Sequence, residues 1–461
     1  MDGTEDMTKP TRHERPIAAI ATAPGPAGIA VVRLSGEGAP SIADRLCPGA
    51  KVPPSAQAAG TFRLRRLFDP ATGEPIDEAL VLVFRAPHSY TGEDAVEFQV
   101  HGGRAAPRRV LSALFTAGAA PAGPGEFSRR AFLNGRLPLD RAEAVMDLVA
   151  AQSDRAARAA AEQLAGALGR RTDAAYDTLL ALCADVEATL DFGEEESSGL
   201  LPPERFAARL DTVRADLAAL AATFREGRLL REGALVVLSG PPNAGKSTLF
   251  NALLGADRAI VADEPGTTRD SLEEGLVLAG VPIRLADTAG LREGADGVER
   301  EGIGRARALA ADADLELRLV PPDENPPPNA AGPRTLLVFS KCDLPGSPPE
   351  TALPPGAVRA SARTGEGLDS LRAAILERLG ADPAGTGGQG AAVNARHRAL
   401  LDAALAALGE AEATYLAHGE EAAAPAAAHL RAAEESLGSI TGRTYTDDLL
   451  DTVFGRFCVG K

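Results

Sequence analysis

The sequence predicts a multidomain chain: an α+β N-terminal domain, an all-α helical domain, and an α/β domain inserted into the helical one. Three observations predict it. Short apolar runs separated by Pro/Gly turns fill residues 16–132. Alanine-rich segments with apolar residues at helical spacing fill 133–232 and 381–461. Strand and helix patterns alternate over 233–380. One helical domain whose two halves flank the insertion is the simplest account of the two helical stretches. Residues 1–15 are polar and charged and read as a disordered extension, not a signal peptide.

At 461 residues the chain has room for about three domains. Hydrophobic residues make up 45% and charged residues 24%, the balance of an ordinary globular protein. A net charge of −16 disfavours nucleic-acid binding through overall charge, so such a partner requires a local basic patch or a helper protein. Cys47, Cys183, Cys342 and Cys458 are scattered, without a CxxC pair or metal-ligand spacing, which points to a reduced, cytoplasmic setting. No apolar run reaches membrane-spanning length, so no membrane partner is expected.

In the N-terminal domain, strands are expected at 17–21, 29–34, 80–84 and 95–100, with a helix around 105–117. The inserted domain begins with a buried strand at 235–238, which runs into Gly240-Pro241-Pro242-Asn243-Ala244-Gly245-Lys246-Ser247 and then Thr248. This is a phosphate-binding loop between strand and helix. Its glycines let backbone N–H groups curl around an anion, Lys246 supplies a point charge, and the Ser247 hydroxyl can ligate Mg²⁺.

Further motifs follow in order. Thr267 and Thr268, after Gly266, can offer a hydroxyl to Mg²⁺ and an N–H to the γ-phosphate. A hairpin turning at Ala279-Gly280 leads to Asp287-Thr288-Ala289-Gly290, where Asp287 can hold a Mg²⁺-bound water and the Gly290 N–H can sense the γ-phosphate. Strand 336–339 runs into Ser340-Lys341-Cys342-Asp343. The Asp343 carboxylate can accept both hydrogen bonds from the N1 and N2 donors of guanine, a pair that adenine lacks. Ser361-Ala362-Arg363 presents a backbone N–H to guanine O6. These elements together define an α/β P-loop GTPase (Ras-like) domain that binds GTP.

Two departures matter. Ser340 stands where the base motif normally has Asn, and it reaches less far. Leu291 stands where Ras-type GTPases carry a water-orienting Gln, so another polar residue must take that task; Glu293, Asp296 and Glu299 are the acids at hand.

The chain resembles the MnmE/TrmE family of tRNA uridine-modification GTPases over essentially its whole length. The resemblance rests on the G domain and on blocks outside it. These are Ala21-Thr22-Ala23-Pro24-Gly25, Ser89-Tyr90-Thr91-Gly92-Glu93-Asp94, His101-Gly102-Gly103, the block from Gly123 to Gly135, and the ending Phe457-Cys458-Val459-Gly460-Lys461. It implies a K⁺-stimulated GTPase whose G domains dimerise across the nucleotides. Asn243 would ligate K⁺, with oxygens of Ala262, Glu264 and Thr267 completing the shell, while Ser247 and Thr268 hold Mg²⁺. The family's water-positioning glutamate falls on Glu299.

The same resemblance implies a homodimer through the N-terminal domain, and a 5-formyltetrahydrofolate or related one-carbon folate held by Arg33, Glu97 and Arg136, the last usually Lys. It also implies an FAD-dependent partner (GidA/MnmG) and tRNA as substrate. Cys458 is the candidate nucleophile of the C-terminal motif; a packed small residue is the competing reading. Read from the residues alone, Arg33 in an apolar strand needs a charged partner, which an intramolecular carboxylate can supply as well as a folate can. His101 is expected to be structural and Cys342 a spacer. Two other functions are weighed. A ribosome-assembly GTPase would carry an RNA-binding module after the G domain, which the acidic, alanine-rich helices do not resemble. A switch protein without modification chemistry is the third.

Overall fold

The computed structural model describes residues 15–191, 201–257, 273–287, 312–326, 332–381 and 393–461. Its contacts fall into two compact units, Asp147–Ile440 and, separately, the residues up to Met146 together with Thr441–Lys461.

The N-terminal part of the latter unit runs β1 (Ile17–Ile20), β2 (Ile29–Ser35), α1 (Ala39–Leu46), β3 (Thr61–Phe68), β4 (Pro75–Phe84), β5 (Ala95–His101), α2 (Ala106–Thr116), β6 (Ala120–Pro121), α3 (Glu126–Leu133) and α4 (Leu139–Ala150). The sheet order is β3-β4-β5-β2-β1-β6. Period-two alternation decides its faces. Ala30, Val32 and Leu34 of β2 join Val96, Phe98 and Val100 of β5 in a core shared with residues of α1 and α2. Their neighbours Val31, Arg33, Glu97 and Gln99 stay half-buried on the other face. On the edge strand β3, Phe62 and Leu64 are 65% and 63% exposed.

The larger unit holds α5 (Asp154–Leu164), α6 (Ala167–Asp191), α7 (Pro203–Ala222), α8 (Phe224–Glu232), β7 (Ala234–Ser239), α9 (Lys246–Asp257), β8 (Glu273–Leu278), β9 (Val281–Asp287), β10 (Leu315–Val320), β11 (Thr335–Ser340), β12 (Val358–Ala360), α10 (Leu368–Leu379), α11 (Ala395–His418) and α12 (Ala423–Thr441). One apolar core draws on segments from either side of the α/β insertion: Leu179 and Leu182 of α6, Leu210 of α7, Leu408 of α11 and Leu430 of α12. At its centre Phe206 stacks on Tyr415 with ring centroids 4.3 Å apart, and the Tyr415 hydroxyl donates to the Leu201 carbonyl at 2.9 Å. Helix α11 is started by a reciprocal cap between Asn394 and His397.

The inserted sheet has the order β12-β11-β10-β7-β9-β8. All its pairings are parallel except β8 with β9. That hairpin turns on Ala279 (φ 45°) and Gly280 (φ 79°), the two consecutive positive φ values that a two-residue turn needs.

The C-terminal segment, which the sequence reading placed in the second helical half, makes its contacts within the unit that carries the N-terminus. Helix α13 (Asp447–Phe454) packs with α3 and α4, Phe454 and Phe457 meeting Phe132 and Leu139. The last residues then run along the N-terminal sheet. The Gly125 N–H donates to the Cys458 carbonyl at 3.4 Å, and a Cβ on Gly460 would lie 2.4 Å from the Ile20 carbonyl oxygen. That contact is closed to any residue but glycine.

The helical core yields a stability prediction. Tyr415→Ala is expected to destabilise the protein by about 3–5 kcal/mol, as large-to-small aromatic core substitutions do. Tyr415→Phe removes one hydrogen bond and is expected to cost about 1 kcal/mol. Denaturant unfolding followed by circular dichroism checks both.

Candidate functional site

Parallel pairing sets the C-terminal ends of the inserted strands along one rim, where ligands of open α/β sheets bind. Strand β7 ends there and turns at Gly240, whose φ of 142° and 2.8 Å Cβ-to-Leu319-carbonyl approach exclude a side chain. The loop continues through Asn243 (φ 61°) and Gly245 (φ 94°) into the start of α9 at Lys246. The Lys246 ammonium donates to the carbonyls of Gly240 (3.1 Å) and Pro241 (2.8 Å), so its charge sits across the loop's mouth.

The register Leu238↔Asp287 brings the end of β9 beside the loop, and the Ser247 hydroxyl donates to Asp287 Oδ2 at 2.7 Å. A hydroxyl and a carboxylate in contact are hard oxygen donors of the kind Mg²⁺ takes from protein, the remainder coming from water and phosphate. Among the described residues no group of three or more His, Cys, Asp or Glu could cage a metal. The pair fits part of a Mg²⁺ coordination shell.

Strands β11 and β12 complete the cleft. A cavity of about 260 Å³ is lined by the loop residues Ala244 and Gly245, by Thr248 of α9, by Lys341 and Asp343 beyond β11, and by Ser361, Ala362 and Arg363 beyond β12. The Ser361 hydroxyl hydrogen-bonds Asp343 and holds its carboxyl below the usual carboxylate range. Asp343 thus keeps its charge as pH falls through that range and loses it only further down. Lys341 has φ 55°, and its Cε lies 3.9 Å from where a Cβ on Gly245 would stand.

Ser340 has a task that the sequence did not reveal. It is buried, and its hydroxyl donates to the Ala244 carbonyl at 2.8 Å, stitching the base side of the cleft to the phosphate loop. Arg359 on β12, absent from any motif, hydrogen-bonds Cys342 and pairs with Glu366 at 2.7 Å. Burial pushes the Cys342 thiol up. Ala262, Glu264, Thr267, Thr268, Thr288, Ala289, Gly290, Leu291 and Glu299 lie outside the described residues.

In the unit that carries the N-terminus, Arg33 and Glu97 face each other across β2 and β5 and form an ion pair of 2.9 Å. The guanidinium lies 5.1 Å from the Tyr90 ring centroid and 5.5 Å from that of Phe127. Its Nη1 reaches the Gly460 carbonyl at 3.5 Å, which brings the exposed Cys458 two residues from this cluster. Arg136 donates to the Ser89 carbonyl at 3.3 Å, next to Tyr90. The intramolecular partner that an arginine in this strand requires is therefore Glu97. His101 is exposed, its Nδ1 2.7 Å from Asp77.

A glycine-rich loop gripping its own lysine, a Ser–Asp oxygen pair and an aspartate-lined base cleft on one parallel-sheet rim define a P-loop nucleotide-binding domain of the GTPase class. Residues 16–136 match the family described as GTP-binding protein TrmE N-terminus, and residues 139–458 match that described as MnmE helical domain. A tRNA modification GTPase MnmE of Thermus thermophilus is 45% identical over 97% of this chain and 99% of its own. That of Akkermansia muciniphila is 43% identical over 99% and 100%. Among solved structures, the G domain of the T. maritima FeoB iron transporter covers 32% of this chain and 98% of its own at 27% identity, with a TM-score of 0.21. The chain belongs to the MnmE family of tRNA modification GTPases.

Ser340→Ala leaves the Ala244 carbonyl buried without its donor. A loss of about 1–1.4 kcal/mol, or up to tenfold in affinity, is expected equally for GDP and GTP. Titration with fluorescent nucleotides checks it.

Proposed function

We propose that this chain is the K⁺-stimulated GTPase partner in the modification of carbon five of the tRNA wobble uridine. It would act with an FAD-dependent GidA/MnmG protein to add an aminomethyl or carboxymethylaminomethyl group. The observation that carries the proposal is the convergence of Ser247 with Asp287 and of Asp343 with Ser361 on one rim, in a chain with full-length MnmE relatives.

Within the cleft, Lys246 and the loop N–H groups receive the β- and γ-phosphates, and Asp343 selects guanine. Ser247 and Thr268 would hold Mg²⁺; Asn243, Ala262, Glu264 and Thr267 would hold K⁺. Both ions, when bound, offset the charge that develops as the β–γ bond breaks. Glu299 would orient the attacking water, a task Leu291 cannot perform. Closure of two G domains across their nucleotides would complete the site.

Three structural features support the remaining parts. The exposed Phe62 and Leu64 on edge strand β3 suit a face covered by a second copy. The cluster of Arg33, Glu97, Tyr90 and the C-terminal tail, with Arg136 beside it, suits the carboxylates and flat ring of a one-carbon folate, and Cys458 is exposed nearby. The hairpin β8–β9 joins two segments that respond to nucleotide in GTPases. It is held to the helical domain through the Ser153 hydroxyl, which donates to the Gly280 carbonyl at 2.6 Å while capping α5. Movement at the cleft would pass to the helical domain along that hairpin.

Deleting the gene is expected to remove the wobble-uridine modification from tRNA nucleosides. Wild-type protein restores it and Glu299→Ala does not. The purified protein is expected to hydrolyse GTP faster in K⁺ than in Na⁺, with the difference abolished in Glu299→Ala. An unchanged nucleoside profile rules out the modification role, and equal rates in both salts rule out the K⁺ role.

A further inference from the structure

A second polar cavity, of about 230 Å³, lies at the opposite edge of the inserted sheet from the nucleotide cleft, where strands β10 and β11 begin and helix α10 ends. Four arginines line it: Arg225 and Arg228 from α8, Arg334 from the turn before β11, and Arg378 from the last turn of α10. Among the described residues its lining contains one carboxylate, Asp314. That group is already engaged, by Arg228 at 2.6 Å and by the Leu235 N–H at 2.9 Å. The lining therefore carries three guanidinium charges beyond the one Asp314 offsets. Water screens part of that charge at the exposed Arg225 and Arg334, and a bound anion would offset it directly.

The backbone is shaped to hold these groups. Gly380 (φ 70°) and Gly356 (φ 77°) have no side chain where one would lie 2.8 Å from the Arg225 guanidinium carbon and 2.7 Å from Arg378 Nη2. Arg225 is anchored by a hydrogen bond to the Arg378 carbonyl, and Arg378 by bonds to the carbonyls of Gly332 and Gly356. Each guanidinium has five N–H donors in a planar fork, so most of the fork remains to serve a ligand. Arg334 is exposed and forms no ion pair among the described residues.

We propose that this cavity is a binding site for a phosphate group, separate from the nucleotide cleft. Planar forks converging on a small polar hollow match the tetrahedral oxygens of phosphate. The chain's net charge of −16 makes overall attraction to a polyanion unfavourable, so an RNA phosphate can be held only at a local basic site such as this one. An RNA backbone phosphate and a free phosphate share this chemistry. The RNA arm of the test rests on the tRNA reading; the free-phosphate arm does not.

The test uses the full chain saturated with GDP, so that the phosphate loop is blocked, and the variant Arg225→Gln/Arg334→Gln. Neither side chain contributes to the nucleotide cleft, so GDP affinity and circular dichroism serve as folding controls. Wild type is expected to melt higher in potassium phosphate than in potassium chloride of equal ionic strength, and the variant is expected to lose that difference. Filter binding of unmodified tRNA is expected to weaken about fivefold or more in the variant if the occupant is a backbone phosphate. A lost phosphate response with unchanged tRNA binding assigns the site to free phosphate. If phosphate response and tRNA binding are both unchanged, the proposal is overturned and the arginines serve only the internal contacts already described.

Discussion

The parallel pairing of β7 with both β9 and β10 is the constraint on which the rest of the nucleotide domain depends. It sends the strand ends to one rim, so a loop leaving β7 at Gly240 meets Asp287 from β9 without any adjustment of side chains. The loop is then held from three directions. Lys246 donates to the loop carbonyls of Gly240 and Pro241, Ser247 is tied to Asp287, and Ser340 of β11 donates to the Ala244 carbonyl. All the strands of this sheet but β8 share one direction, and they share one apolar core, so displacing a strand end requires disturbing that core. A preorganised cradle of this kind leaves little reorganisation to be made when the nucleotide arrives.

In the unit that carries both termini, glycine takes the comparable role. Close approaches at Gly125 and Gly460 let the C-terminal tail lie against the loop before α3 and the end of β1. The tail carbonyl of Gly460 then touches Arg33, whose charge Glu97 already balances. The paired, half-buried Arg33 over two aromatic rings thus has its charge balanced within the chain, and loss of Glu97 would leave that charge uncompensated.

Much of this was legible in the sequence. The apolar runs at 29–34 and 95–100 and the helix expected near 105–117 are all present, as β2, β5 and α2. The motifs around the cleft were legible because phosphate and guanine demand particular groups at particular strand ends. Strand β3 was not among the expected strands although Phe62-Arg63-Leu64-Arg65 alternates apolar with charged residues; its first four residues are all exposed. The short helix α1 starts behind Gly38 with Pro40 in its first turn, and that pair reads as turn chemistry. The destination of 441–461 was hidden because helical texture says nothing about which core a helix joins. The partner of Ser340 was illegible for a similar reason: a backbone carbonyl leaves no trace in sequence. Arg225 and Arg334 stand in no motif, and only the fold brings them together.

The most direct test is base selectivity. Asp343→Asn replaces an acceptor pair facing the guanine N1 and N2 donors with an amide that matches a base bearing a carbonyl at carbon two. GTP affinity is predicted to fall by about two orders of magnitude or more while xanthosine triphosphate is gained, consistent with loss of a charge-assisted pair. Unchanged preference for GTP over xanthosine triphosphate in this variant would contradict the placement of guanine in the cleft between Ser340 and Ser361.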